Sequence, residues 1–338
     1  MRICLLGENR GNLDEGMRNI TFHFAHLLSN THQILVLDLR DFISKKFWKN
    51  LSEFNPEIIH YVHGPSFRSF LFAKFLSYYC RDAKIIVSAM RPYLPHIIRH
   101  IIPLVKPDLV LTQSSGTEEM FKHLGIRTEF LPSGVDIEKF APITKENEIN
   151  LRKKYGLKEE KFIILHIGSL KEGRNIELLN VLQSTDNLVL ILGSTSTGKD
   201  KKLYQKLKES GCILWLTFMN SIEEIYALAD CYFFPTVERH DYLGRSIADS
   251  IEMPLTVLEA MASNLPVITT KFGALPKVFE QGDGLFFVEN VVDISNSLTE
   301  IKKGVEVRTR EKVLPYSWIN VVKKLETIYS NLLGANEL

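Results

Sequence analysis

Twelve short apolar runs, separated by amphipathic stretches, set what this chain can become. The first six are RICLLG, HQILVLDL, EIIHYVHG, AKIIVSA, DLVLTQS and TEFLPSG. After a charged gap come KFIILHIGS, NLVLILGS, CILWLTF, DCYFFPT, LPVITT and GLFFV. Runs that are apolar on both faces and alternate with helical stretches predict parallel strands with helices covering both sides of a sheet. The gap, ITKENEINLRKKYGLKEEK at 143–161, separates two such series, and 338 residues are long for a single core. The expectation is an α/β chain of two doubly wound domains, 1–155 and 156–312, meeting near 156–160 and followed by a closing helix within 313–338. In that helix Ser317 is the expected N-cap, and Ile319, Val322, Leu325, Ile328 and Leu332 recur at helical spacing.

Composition excludes several classes. The formal net charge is +1 with both signs interspersed, which leaves no electrostatic footprint for nucleic acid. Cys4, Cys80, Cys212 and Cys231 fall in no CxxC or Cys/His spacing, so they read as buried thiols in a reducing compartment. The opening MRICLLGENRG has an apolar run too short for a signal peptide or membrane span, and a cytoplasmic protein is expected.

In open α/β sheets ligands bind at the carboxyl ends of strands, and two such domains are expected to face a cleft. At the first turn, GENRGNLDEGMRN carries Gly7, Gly11 and Gly16. Their spacing is not the dinucleotide G-x-G-x-x-G, and no acid stands clearly in the expected context at the end of the second strand except Asp38, so a flexible turn is the preferred reading. Gly193-x4-Gly198-Lys199 begins like a phosphate-binding P-loop. The next residue, Asp200, puts a carboxylate where magnesium needs a hydroxyl, and an ordinary strand-loop-helix is preferred there. Lys171 and Arg174 follow the turn in HIGSLKEGRNIELL and could meet a phosphate. In PLTVLEAMASNLPVIT, Thr256 and Glu259 have the spacing of a T-x-x-E capping box. A helix start is also an anion site, so Glu259 either caps the helix or stands beside a bound phosphate.

Four segments resemble the group 1 glycosyltransferases, family 4 of the sequence-based classification: LPSGVDIEKFAP, HIGSLKEGRNIELL, PLTVLEAMASNLPVITTKFGALPKVF and YSWINVVKKLETIY. The resemblance covers nearly the whole chain, and the third segment is the most specific. It implies the GT-B fold, two Rossmann-like domains with a last helix crossing back to the first. It also implies sugar transfer with retention from a nucleotide sugar, without a metal ion or other cofactor. Position by position it gives Glu259 the donor ribose hydroxyls, the backbone N–H groups of Leu255, Thr256 and Val257 the diphosphate, and Arg174 the place of a phosphate-binding lysine.

The chain departs from the family pattern at three places. Ser169 stands where an arginine usually follows Gly168, leaving Lys171 as the other nearby cation. Ile251 stands where an earlier glutamate is usual, with Glu252 displaced by one, so that Glu252 either reaches the sugar as a catalytic group beside Arg174 or is a solvated loop carboxylate. The histidine many relatives carry after the fourth strand is absent from IIVSAMRPYLP, leaving Arg91 and, after the third strand, His63 as first-domain candidates with Gly11 and Gly16.

No D-x-D or other carboxylate cluster for magnesium stands at a strand end. The partners expected are a UDP- or GDP-sugar and a glycan, lipid-linked or small-molecule acceptor. SFRSFLFAKFLSYYCRDAK and PYLPHIIRHIIPLVKPD mix aromatics, aliphatics and cations. They read first as core-facing helices with solvated cations, and second as peripheral membrane contacts at a cytoplasmic face. A sugar-nucleotide-binding protein without transferase activity and a P-loop enzyme are the alternative functions.

Overall fold

The computed structural model describes the chain except residues 92–93, 96–98, 172, 196–197, 199, 243–245 and 335–338. The first series of elements is β1 (Arg2–Gly7), α1 (Gly16–Leu28), β2 (Gln33–Asp38), α2 (Lys45–Phe54), β3 (Ile58–Gly64), α3 (Phe67–Tyr79), β4 (Lys84–Ala89), β5 (Leu109–Thr112), α4 (Ser115–His123) and β6 (Thr128–Phe130). The second begins with α5 (Lys145–Lys154), β7 (Phe162–Gly168), β8 (Asn187–Gly193), α6 (Lys201–Glu209), β9 (Ile213–Trp215), α7 (Ile222–Ala227) and β10 (Cys231–Phe234). It continues with α8 (Leu255–Ala262), β11 (Val267–Thr269), α9 (Leu275–Val278), β12 (Leu285–Phe287), α10 (Val291–Lys302), α11 (Thr309–Val313) and α12 (Trp318–Gly334). Each apolar run holds one strand. Helix starts follow local chemistry, with Ser44, Ser66, Ser114, Thr144 and Asn290 accepting from first-turn N–H groups.

The strands form two six-stranded sheets, ordered β2-β1-β3-β4-β5-β6 and β12-β11-β10-β7-β8-β9, with parallel pairing throughout, for example Arg2↔Gln33 to Gly7↔Asp38. Strand order reverses between β1 and β3 in one sheet and between β7 and β10 in the other. A crevice at the carboxyl ends of such a pair is where doubly wound sheets take ligands. The cores lie between sheets and helices. Leu6, Ile59, Phe70, Val87 and Phe121 belong to one, and Ile164, Leu179, Ile191, Phe233 and Ile268 to the other.

The chain makes two compact units. Unit 1 is Met1–Gly134, His240–Met253 and Trp318–Leu338; unit 2 is Val135–Arg239 and Pro254–Ser317. The first break therefore falls at Gly134, ahead of the charged gap. Arg152 of α5 is nearly buried, and its guanidinium donates to the Leu228, Glu159 and Lys161 carbonyls and to Asp230 Oδ2 at 2.8 Å. A buried cation so tied holds α5 in unit 2.

Within unit 1, α12 packs on α1. Trp318 stacks on His23 at 4.6 Å, and buried His60 joins Tyr329 Oη at 2.7 Å to Ser88 Oγ at 2.6 Å. Gly134 has to be glycine here, because a methyl group on it would lie 2.3 Å from the Trp318 ring. Val322, Leu325, Ile328 and Leu332 are buried as the spacing predicts. Ile319 is exposed instead, and Val321 and Tyr329 take part in the buried face.

Candidate active site

In unit 2, β7 ends at Gly168 on the switch point. Ser169 and Leu170 turn inward and are buried, while Lys171 and Arg174 are half-buried. Gly173 and Asn175, at φ 86° and 58°, flank Arg174 and reverse the chain around it. A methyl group on Gly168 would sit 3.2 Å from His166 Nε2 and 3.5 Å from an Arg174 guanidinium nitrogen, so the glycine leaves open the space these two groups border.

His166 was not legible as a site residue, since a histidine in an apolar strand reads as core. Its Nδ1–H donates to the Phe233 carbonyl at 2.9 Å, which leaves Nε2 an acceptor without a partner among the described residues. Burial lowers its pKa to about 4, and Arg174 acts in the same direction, so the ring is neutral at pH 7.

The expected T-x-x-E capping box does not form. Pro254 is the N-cap of α8 and has no side-chain acceptor, so Thr256 falls inside the first turn. The Val257 N–H is committed to the Pro254 carbonyl at 3.2 Å. Leu255 and Thr256 are left with first-turn N–H groups that have no partner among the described residues.

Glu259, one turn into the helix, points elsewhere than a cap. Its Oε2 accepts from Tyr226 Oη at 2.6 Å. Burial raises its pKa to about 7, against the lowering effects of the Tyr226 hydroxyl and of Lys139. Tyr232 connects the groups: it meets the Thr256 hydroxyl, donates to the Ile167 carbonyl at 3.3 Å, and lies in the fields of Glu259 and Arg174. Tyr226 and Tyr232 gave no sequence signal, because buried tyrosines are common in cores.

The P-loop reading fails at Asp200. Its carboxylate accepts from Lys202 N at 2.8 Å and Leu203 N at 3.1 Å, capping α6 with the donors a phosphate would need. Lys199 lies outside the described residues.

Glu252 belongs to unit 1 and is not a solvated loop carboxylate. It is nearly buried, and its Oε1 accepts from Ser114 Oγ at 2.8 Å and Thr117 Oγ1 at 2.6 Å, at the N-terminus of α4 where negative charge is favoured. Its N–H donates to the Met90 carbonyl at 2.9 Å.

The other unit 1 candidates gather at the β1/β3 switch point. Gly11, at φ 110°, lies against the Arg18 guanidinium, which also reaches Glu8 at 3.4 Å. Gly16 opens α1 beside Ile251, with Glu15 as N-cap. Arg91 pairs with Asp249 at 3.0 Å and lies 3.8 Å from Glu15. His63 Nδ1 accepts from the Glu8 N–H at 3.4 Å, which puts the ring proton on Nε2, a donor with no acceptor among the described residues. Burial lowers the His63 pKa, and Glu15 and Glu8 oppose that.

Among the described residues, no three His, Cys, Asp or Glu side chains group closely enough to hold a metal ion. A recess of about 460 Å³, bordered by Asn55, Tyr79, Arg81 and Asp82, lies at the amino ends of β3 and β4, the wrong edge for a ligand of this fold.

Two parallel doubly wound sheets, one ending in a glycine-and-cation turn beside an acid-bearing helix start, define a GT-B protein. Residues 147–312 belong to the group 1 glycosyltransferases, matching the profile described as "Glycosyl transferases group 1". The chain is 23% identical over 207 residues to the N-acetyl-alpha-D-glucosaminyl L-malate synthase of Bacillus anthracis, covering 56% of this chain and 50% of that one. It is 24% identical over 319 residues to the sulfoquinovosyl transferase SQD2 of Arabidopsis thaliana, covering 84% and 58%. The chain thus spans about half the length of these curated relatives. The crystal structure of Anabaena Alr3699/HepE in complex with UDP-glucose superimposes with a TM-score of 0.75 at 15% identity, over 97% of this chain and 99% of that one.

Proposed function

We propose that this protein is a retaining hexosyltransferase, unit 2 binding a UDP- or GDP-sugar and unit 1 serving a glycan, lipid-linked or small-molecule acceptor. The observation that carries the reading is Glu259, which keeps Oε1 clear of the Tyr226 bond on a helix whose first turn retains uncommitted N–H groups. In this reading Glu259 takes the ribose hydroxyls. The Leu255 and Thr256 N–H groups and Arg174 take the diphosphate, with Lys171 adding charge from the same turn as Gly168 and Ser169.

A nucleoside diphosphate leaves as an anion, and preorganised donors that stabilise charge as it develops lower the barrier. An arginine, a lysine and a helix start supply that stabilisation without a metal ion. The acceptor then attacks from the face the leaving group vacates, which retains configuration. In unit 1, this reading gives the acceptor hydroxyl or its charge to the His63 Nε2–H and Arg91, and Glu252 acts as a positioning carboxylate that secures the segment before α8. The protein would work in the cytoplasm, at the membrane's cytoplasmic face where its acceptor is lipid-linked.

A thermal-shift screen of nucleotides and nucleotide sugars, with and without chelator, tests the proposal, because a ligand of the folded state raises the melting point by mass action. Stabilisation by a UDP- or GDP-sugar, followed by release of nucleoside diphosphate on turnover, supports it. Binding without turnover would leave only the sugar-nucleotide-binding alternative.

A further inference from the structure

Helix α3 reads as apolar on every side, and the structure divides its residues between two environments. Phe70, Ala73 and Leu76 enter the core, while Leu71, Phe75, Tyr78 and Tyr79 are exposed, Tyr78 by 66%. The exposed set recurs at i, i+4, i+7 and i+8, which makes a continuous outer stripe. This departs from the core-facing expectation for the segment.

The stripe joins α2 through its rings. Trp48 meets Phe75 at 5.3 Å and Tyr79 at 5.0 Å, and Phe42 meets Phe72 at 5.9 Å. Beside Phe42, Ile43 projects with 81% of its surface exposed. An apolar area of this kind, built from α3, Trp48 of α2 and the two residues Phe42 and Ile43 just before α2, exceeds scattered surface hydrophobes.

Charge identifies what covers it. Residues 42–54 and 67–82 carry Lys45, Lys46, Lys49, Arg68, Lys74 and Arg81 against Glu53 and Asp82, a net +4 on a chain of +1. Lys45, Lys46 and Lys49 are exposed on the first turns of α2, and Lys74 Nζ lies 5.0 Å from the Tyr78 ring centroid. Aromatic rings ringed by lysines suit a bilayer interface, where rings sit at headgroup level and cations meet anionic lipid. Among the described residues no helix is long and apolar enough to cross a membrane, so the contact is peripheral.

We infer that the α2/α3 face of unit 1 docks on an anionic lipid bilayer, with Ile43, Phe75 and Tyr78 entering the interface and Lys45, Lys46 and Lys49 pairing with lipid headgroups. The inference names the surface by which the proposed cytoplasmic-face enzyme meets its membrane, and it rests on that reading for its use. Its measurement does not.

The test is flotation of the full chain with vesicles of phosphatidylcholine alone and of phosphatidylcholine with about 30% phosphatidylglycerol, the chain's oligomeric state being followed by sedimentation. The parent is expected to float with anionic vesicles and not with neutral ones. Lys45→Glu/Lys46→Glu/Lys49→Glu should weaken binding more than tenfold, since each basic group near an anionic surface contributes roughly fivefold. Ile43→Ser/Tyr78→Ser, at two of the most exposed positions, should weaken it similarly with no loss of melting temperature. No binding by the parent, or equal binding by parent and variants, overturns the inference. So does a dimer that these substitutions dissociate, which would make the face an interface between two copies. Binding of UDP- and GDP-sugars is measured on the same samples: vesicle binding without donor binding would overturn the transferase reading and leave the surface intact, and the converse would do the reverse.

Discussion

The Tyr226 hydroxyl donates to Glu259 Oε2 at 2.6 Å, and Tyr226 itself is fully buried. The bond fixes one carboxylate oxygen while burial holds the pKa near 7, raised from an ordinary 4.5. Between those values the folded protein retains a proton that the unfolded chain has released. The stability this group contributes is therefore complete below about pH 4.5, declines as the pH rises to about 7, and is constant above. Denaturant unfolding of the unliganded parent and of Glu259→Gln between about pH 5 and 8 reads it. The parent should lose stability relative to the variant as pH rises, and parallel curves would remove the shifted carboxyl.

Removing the hydroxyl has a predictable sign. The Tyr226 bond favours the ionised carboxylate, so Tyr226→Phe should raise the Glu259 pKa further. If the carboxylate form takes the ribose hydroxyls, affinity for a UDP- or GDP-sugar rises with pH through about 7 in the parent. The midpoint should move upward in the variant. Calorimetric titration with a sugar nucleotide, whose diphosphate does not titrate in this range, shows whether the midpoint moves.

Arg174 borders the space above Gly168, where the proposed site puts the donor diphosphate. Arg174→Ala should weaken UDP or GDP at least tenfold and the bare nucleoside hardly at all, because charge-assisted bonds are the strong ones. Equal losses for both ligands would take Arg174 out of the site.

Glu252 and Asp200 are assigned to structure, and their substitutions should separate from those above. Glu252→Ala strips the acceptor from the Ser114 and Thr117 hydroxyls and should cost about 1–3 kcal/mol of stability, with donor affinity unchanged. Asp200→Ala removes the α6 cap and should cost about 1 kcal/mol, again without change in nucleotide binding. Loss of nucleotide affinity at either position would reassign it.

What the sequence disclosed divides by distance along the chain. The strands were legible because an apolar run on both faces is a local property, and all twelve runs hold a strand. The helix start at Leu255 was legible as well. Its capping box was not, because Pro254 takes the N-cap position and moves Thr256 into the helix. The partners of Glu252 lie 138 and 135 residues away, and Tyr226 lies 33 residues before Glu259, separations at which spacing carries no information. Arg152 looked like one more charge in a solvated gap, yet its partner Asp230 is 78 residues on, and the bond ties α5 into unit 2. On α3, apolar residues all round the helix hid which side would face water.

The donor-site assignment stands on Glu259, and one substitution tests it. Glutamine can still accept from the Tyr226 hydroxyl, so Glu259→Gln keeps the packing and removes only the charge and its capacity to take two ribose hydroxyls. Isothermal titration of UDP- and GDP-sugars in excess EDTA, on parent and variant, is the direct measurement. The account predicts that the parent binds one of them without a metal ion and that the variant binds it about ten- to a hundredfold more weakly, as a charged hydrogen bond of roughly 1.5–3 kcal/mol requires. Equal affinity for parent and variant, or binding by the parent only when a divalent ion is restored, would contradict it.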